Sequence, residues 1–182
     1  MSSFEFAFSL FGLLLGLSVA EIMGGFARVL RGRTAIRLGW LTPLLGLLLL
    51  IDLVTFWSNA WDMRDAIPPT FGALLYGTVI AAVYYLSASL VFPVAISEWP
   101  DLDSYFVRHK AQVMIGVISA NLLVMGARII LFGNIFTGWQ AIAAPIAFTG
   151  LGLVLIFTKN KQVAGVVLCV LLALYGLFRF LF

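Results

Sequence analysis

Two stretches of this chain, 66–97 and 129–158, contain no Asp, Glu, Lys or Arg. Runs of that length exceed what a buried strand or one face of a soluble helix uses, and they point to hydrocarbon as the solvent. Inside hydrocarbon each segment must satisfy its own backbone, which leaves helices or a closed barrel. Barrel strands are ~10 residues long and alternate in polarity, whereas these runs are solidly apolar, so helices are expected. Composition agrees: 63% of the residues are hydrophobic, 10% are charged and the mean hydropathy is +1.10. One soluble core could not bury so much apolar surface.

A crossing helix needs ~20 apolar residues, and the 182 residues divide naturally into six. The expected spans are 4–28, 38–61, 70–94, 111–132, 140–157 and 163–182. Arg31, Arg33 and Arg37 mark the first break, and Asp62, Arg64, Asp65 and Pro68-Pro69 the second. The polar run from Ser97 to Lys110, the stretch from Gly133 to Gly138 and Lys159-Asn160-Lys161 mark the rest. The expected fold is therefore all-α: a polytopic integral membrane protein, a bundle of six transmembrane helices in a single domain over 1–182. Too little chain remains outside the spans for a soluble domain.

Orientation follows from the Lys/Arg bias of short loops. Arg28, Arg31, Arg33, Arg37, Arg108, Lys110, Lys159 and Lys161 fall on one face, and Arg64, Arg128 and Arg179 on the other. The richer face is expected in the cytoplasm, with both termini outside, or periplasmic if this is a bacterial inner membrane. The N-terminus lacks a basic leader region and reads as an uncleaved first helix. The net charge of +3 is accounted for by the same bias, so no nucleic-acid partner is expected. The single Cys169 lies in the last span and has no partner for a disulfide.

Counting excludes several chemistries. Bis-histidine haem and a His/Cys zinc site both fail, because His109 is the only histidine and Cys169 the only cysteine. No lysine lies at mid-span for a retinal Schiff base, and Asp52 is the only aspartate deep in a span, one short of an aspartyl protease pair. Gly16-Leu17-Ser18 lacks the second glycine of a nucleophile turn. No enzyme, metal or cofactor is expected.

Function is then sought in the intramembrane ionisable groups, which hydrocarbon makes costly. These are Glu21, Asp52 and Arg128. Counted at ~1.5 Å per residue from the cytoplasmic ends, Asp52 lies ~21 Å along the second span and Arg128 ~25 Å along the fourth, which puts both in the outer third. Asp52, Thr55, Asn59 and Asp62 share one helix face through spacings of three, four and three. Asn121 and Arg128, seven apart, share a face of the fourth span. The economical arrangement pairs Asp52 with Arg128, between Asn59 and Asn121. Glu21 and Arg28, also seven apart, share a face of the first span; Glu21 is expected to form a local or loop-linked ion pair with one of the nearby arginines, with a proton or cation site on the inner side as the alternative.

Other features carry weaker implications. Gly12 and Gly16 form a GxxxG step, with Glu21 about 180° around the helix, which suggests two interior faces on the first helix. The run from Ser97 to Lys110 reads as an interfacial turn and helix start, with Trp99, Tyr105 and Phe106 at headgroup depth. Met23-Gly24, Ala27-Arg28, Gly32 and Gly39-Trp40 recur as Met125-Gly126-Ala127-Arg128, Gly133 and Gly138-Trp139. Three spans separate the copies, which implies two inverted three-helix halves with interrupted second and fifth helices, at Pro43 and Gly46 in one and Pro145, Gly150 and Gly152 in the other.

The expected function is a small channel or transporter for an ion or small solute, surrounded by lipid bilayer and self-associated as a homo-oligomer. Carboxylates along a pathway favour cations, and Arg128 opposes that preference. The competing class is a non-catalytic accessory subunit or assembly factor within a larger membrane complex.

Overall fold

Capping chemistry decides where the helices begin and end. In a computed structural model, which describes residues 3–32, 39–68, 70–133 and 139–180, the chain forms α1 (Ser3–Gly32), α2 (Leu41–Asp62), α3 (Phe71–Ser89), α4 (Leu102–Phe132), α5 (Trp139–Phe157) and α6 (Lys161–Phe180). A short 3-10 turn, Ile96–Glu98, precedes α4. Among the described residues there is no strand. Four of the helices are long and apolar enough to cross a membrane, and the apolar parts of α5 and α6 are shorter.

The Thr70 side chain accepts from the Ala73 N–H and opens α3. The Asp101 carboxylate accepts from the Ser104 N–H at 2.7 Å and opens α4, while Asn160 does the same for Gln162 at the head of α6. Gly133, at φ 71°, ends α4 in a conformation that side-chain-bearing residues avoid.

The largest departure from the expected spans is α4, which starts at Leu102 rather than 111. Its first turns carry Arg108, His109 and Lys110, whose charge breaks the hydropathy without breaking the helix. Lys110 is buried. Its Nζ donates to the Leu155 carbonyl at 2.6 Å and to that of Thr158, so an amine from α4 satisfies the orphan carbonyls at the end of α5. Helix α3 stops five residues early, at Ser89, because the chain turns through buried Val91, Phe92 and Pro93.

The helices stack as three layers of two: α1 with α3, α2 with α4, and α5 with α6. The middle pair is covered on both sides, since α3 and α1 pack on one flank and α5 and α6 on the other. Helix α1 has one buried stripe, Phe11, Leu15, Ser18, Ile22, Gly25 and Val29, at alternating spacings of four and three. It therefore has one interior face, not two. Close approach sets part of this packing: a Cβ at Gly77 would collide with the Phe11 ring, and one at Gly116 with the Ser87 hydroxyl.

The layers do not follow two inverted halves. Such halves would pair α1 with α4, α2 with α5 and α3 with α6, yet α1 lies along α3 while α4 and α6 barely touch. Neither α2 nor α5 is broken at the expected interruptions: α2 runs through Gly46 and α5 through Gly150 and Gly152, and Pro145 is the proline in a helix interior. Pro43 sits in the first turn of α2, where its missing N–H disturbs nothing. Arg33, Arg37 and the stretch 134–138 lie outside the described residues.

Candidate functional site

Asp52 occupies the middle of the 22-residue α2, about 15 Å from either end, and is 2% exposed. A carboxylate there must be answered by donors. Three layers supply them. Tyr84 of α3 donates its hydroxyl to Oδ2 at 2.9 Å. Asn121 of α4 donates to both oxygens at 3.1 Å, and the Tyr175 hydroxyl of α6 donates to Oδ1. Both carboxyl oxygens lie within hydrogen-bond distance of these groups.

Packing fixes the donors. The Phe56 ring lies 5.2 Å from that of Tyr84, and the Phe148 ring stands edge-on to Tyr175 at 5.7 Å. The Asn121 amide also donates to the Val117 carbonyl at 3.0 Å, which settles its orientation, because the flipped amide would set oxygen against oxygen.

Beside this cluster, between the middle layer and the α5–α6 layer, lies a cavity of about 360 Å³. Thr55 and Asn59 of α2 line it, with Asn121, Leu122, Val124, Met125 and Arg128 of α4. Ala141, Ala144, Pro145, Phe148 and Thr149 of α5 and Leu174 and Tyr175 of α6 complete the wall. Asp52 itself lies behind Tyr175 and Asn121. Pro145 carries no N–H, so the Ala141 carbonyl one turn earlier loses its helical donor at the cavity wall.

Five of the residues expected to form a site therefore come together: Asp52, Thr55, Asn59, Asn121 and Arg128. Asp62 does not join them; it is exposed at the end of α2. Glu21 pairs with Arg28 at 3.0 Å, as expected, but this half-exposed ion pair lies on α1, away from the cavity. The expected pairing of Asp52 with Arg128 does not form. Because α4 begins nine residues before 111, Asn121 is the residue level with Asp52, and Arg128 lies two turns, about 10.5 Å, further along. Arg128 is a wall of the cavity instead.

Two site residues were missed from the sequence, Tyr84 and Tyr175. The available signal was chemical: a phenol within an apolar helix needs a partner for its hydroxyl, and a lone mid-span carboxylate needs donors.

At the other end of the bundle, Trp99, Tyr105 and His109 form an aromatic cluster. His109 stacks on Tyr105 at 4.1 Å, and Trp99 stands edge-on to both. Arg108 lies over the Trp99 ring at 5.9 Å. Ser18, the serine of the incomplete nucleophile turn, donates to the Leu14 carbonyl within its own helix. Among the described residues no group of three or more His, Cys, Asp or Glu side chains gathers in a metal-binding arrangement. Comparison with protein-family models, with curated proteins and with solved structures finds no match for this chain.

Proposed function

We propose that this chain is a small multi-pass membrane transport protein, with all six helices crossing the bilayer, and that the cavity between α2, α4, α5 and α6 is its solute site. The observation that carries this reading is the buried Asp52 carboxylate, reached from the cavity through Tyr175 and Asn121. A charge at mid-helix is costly, and placing it behind a cavity whose largely apolar wall also carries Thr55, Asn59, Asn121, Arg128, Thr149 and Tyr175 gives that cost a use. A proline inside a helix of the cavity wall fits the habit of transporters to build sites on interrupted helices.

On the Lys/Arg bias, the end with Lys110, Lys159 and Lys161 faces the cytoplasm and the Arg128 end of the cavity lies in the outer half of a cell membrane, of the bacterial inner type, with both termini outside. Gly16 of α1 has open space beside it, a step on which a second copy would pack as a homo-oligomer.

The test is flux through purified protein in lipid vesicles. Solute movement should exceed that of empty vesicles, and Asp52→Asn should reduce it while leaving the helical content intact. No movement of potassium, protons, chloride or neutral amino acids at any of several pH values would sink the transport reading. The chain would then be read as an accessory subunit, retained in a complex with other membrane proteins.

A further inference from the structure

The charged groups of the cavity stand apart: Asp52 lies behind Tyr175 and Asn121, and Arg128 lies two turns along α4, with Asn59 and Thr149 as further polar members of the wall. Near Asp52 the hydrogens are already spent. Both amide hydrogens of Asn121 go to Asp52 and Val117, the Tyr175 hydrogen goes to Asp52, and the Thr55 hydroxyl donates to the Ile51 carbonyl. What these groups still offer a guest is lone pairs, with a carboxylate behind them. Arg128, two turns along the same face of α4, offers donors only and a fixed positive charge. The apolar part of the wall includes Met125, Phe148 and Leu174.

On the reading of this cavity as a solute site, we infer that its ligand is a small zwitterion of the amino-acid class. The protonated amine faces Asn121, Tyr175 and Thr55, the carboxylate faces Arg128, and an apolar side chain lies against Met125, Phe148 and Leu174. A solute with one charge would engage only one of the two poles and forgo the attraction of the other. A cavity of about 360 Å³ is at the small end of ligand sites, which run from ~300 to 1,000 Å³.

Three probes separate the poles: L-leucine, isocaproate, which lacks only the amine, and isopentylamine, which lacks only the carboxylate. Binding is measured calorimetrically on the full chain in lipid nanodiscs. L-Leucine should bind about tenfold or more tightly than either single-charge probe. Arg128→Gln should weaken leucine to the level of isopentylamine, and Asp52→Asn should weaken isopentylamine without weakening isocaproate. Circular dichroism of each variant checks that the bundle is intact, and Arg128→Lys, which keeps the charge, should retain part of the leucine affinity. Isocaproate or isopentylamine binding as tightly as leucine, leucine affinity indifferent to Arg128→Gln, or no binding of leucine would each overturn the inference. Leucine binding without leucine flux in vesicles would sustain the zwitterion site and remove the transport reading. Flux of another solute without leucine binding would do the reverse.

Discussion

Removing the Asp52 carboxylate leaves two phenol hydroxyls and one amide aimed at a space without acceptors, and each orphaned buried group costs about 1–3 kcal/mol. Asp52→Ala should therefore destabilise the bundle by about 3–5 kcal/mol. Arg128→Gln, at an exposed position near the end of α4, should change stability by no more than about 0.5 kcal/mol. Because the two side chains do not pair, their effects should add to within about 0.5 kcal/mol, whereas Asp52→Asn and Tyr175→Phe should couple by about 1 kcal/mol or more. Thermal unfolding of the single and double mutants in detergent decides it, and strong coupling of Asp52 with Arg128 would mean that they touch. The periodic part of this cluster was legible in the sequence. Thr55 and Asn59 follow Asp52 at helical spacing, and Asn121 faces them from a second polar stripe. Tyr84 and Tyr175 were not, because a tyrosine in an apolar run reads equally as core, belt or ligand until the facing helix is known.

At the scale of elements, the instructive case is α4. Hydropathy puts the start of the fourth span at 111, since Arg108, His109 and Lys110 count against hydrocarbon. The helix start expected within the run from Ser97 to Lys110 is where α4 begins: Asp101, followed three residues later by Ser104, is its N-cap. Hydropathy measures the cost of charge, and it is blind to the carbonyls at the end of α5 that meet Lys110. That nine-residue error propagated into the depth of Arg128 and produced the wrong partner for Asp52. The cap itself is open to test. Hydrogen bonds from the Ser104 side chain, and secondarily its backbone, hold the Asp101 carboxyl below the usual carboxylate range, with Lys161 at 3.9 Å assisting. A carboxyl depressed in the folded state stabilises fully above its unfolded pKa, and the contribution is lost as pH falls through the folded value. Asp101→Ala should thus cost about 1 kcal/mol at neutral pH, and the gap in melting temperature should close as pH drops below about 4. A gap as wide in acid as at neutrality would show that the carboxylate does not cap α4.

For the whole molecule, Asp52 of the middle layer is held by Tyr84 from one outer layer and Tyr175 from the other, so a single carboxylate joins all three layers. Such a bundle has a definite top and bottom, and the orientation of the cavity follows from which end faces the cytoplasm. Long apolar runs made the all-helical plan legible, because period and composition report the solvent each segment prefers. The layering was not legible, since the outward-facing and helix-facing sides of α3 and α4 are almost equally apolar and the weak repeat pointed to a pairing that the helices do not adopt. Orientation has its own signal in the basic residues. Arg28, Arg31, Arg108, Lys110, Lys159 and Lys161 gather at the end where α1 finishes and α4 and α6 begin, while Arg64 and Arg128 lie toward the opposite end. Basic residues near span ends resist translocation, so the first end should be cytoplasmic. With Cys169 replaced by Ser, single cysteines at Gly32 and Asn160 should react with an impermeant thiol reagent only after the membrane is opened, and one at Ala66 should react on intact cells. Labelling of Gly32 on intact cells would invert the bundle and turn the cavity, Arg128 and the approach to Asp52 toward the cytoplasm.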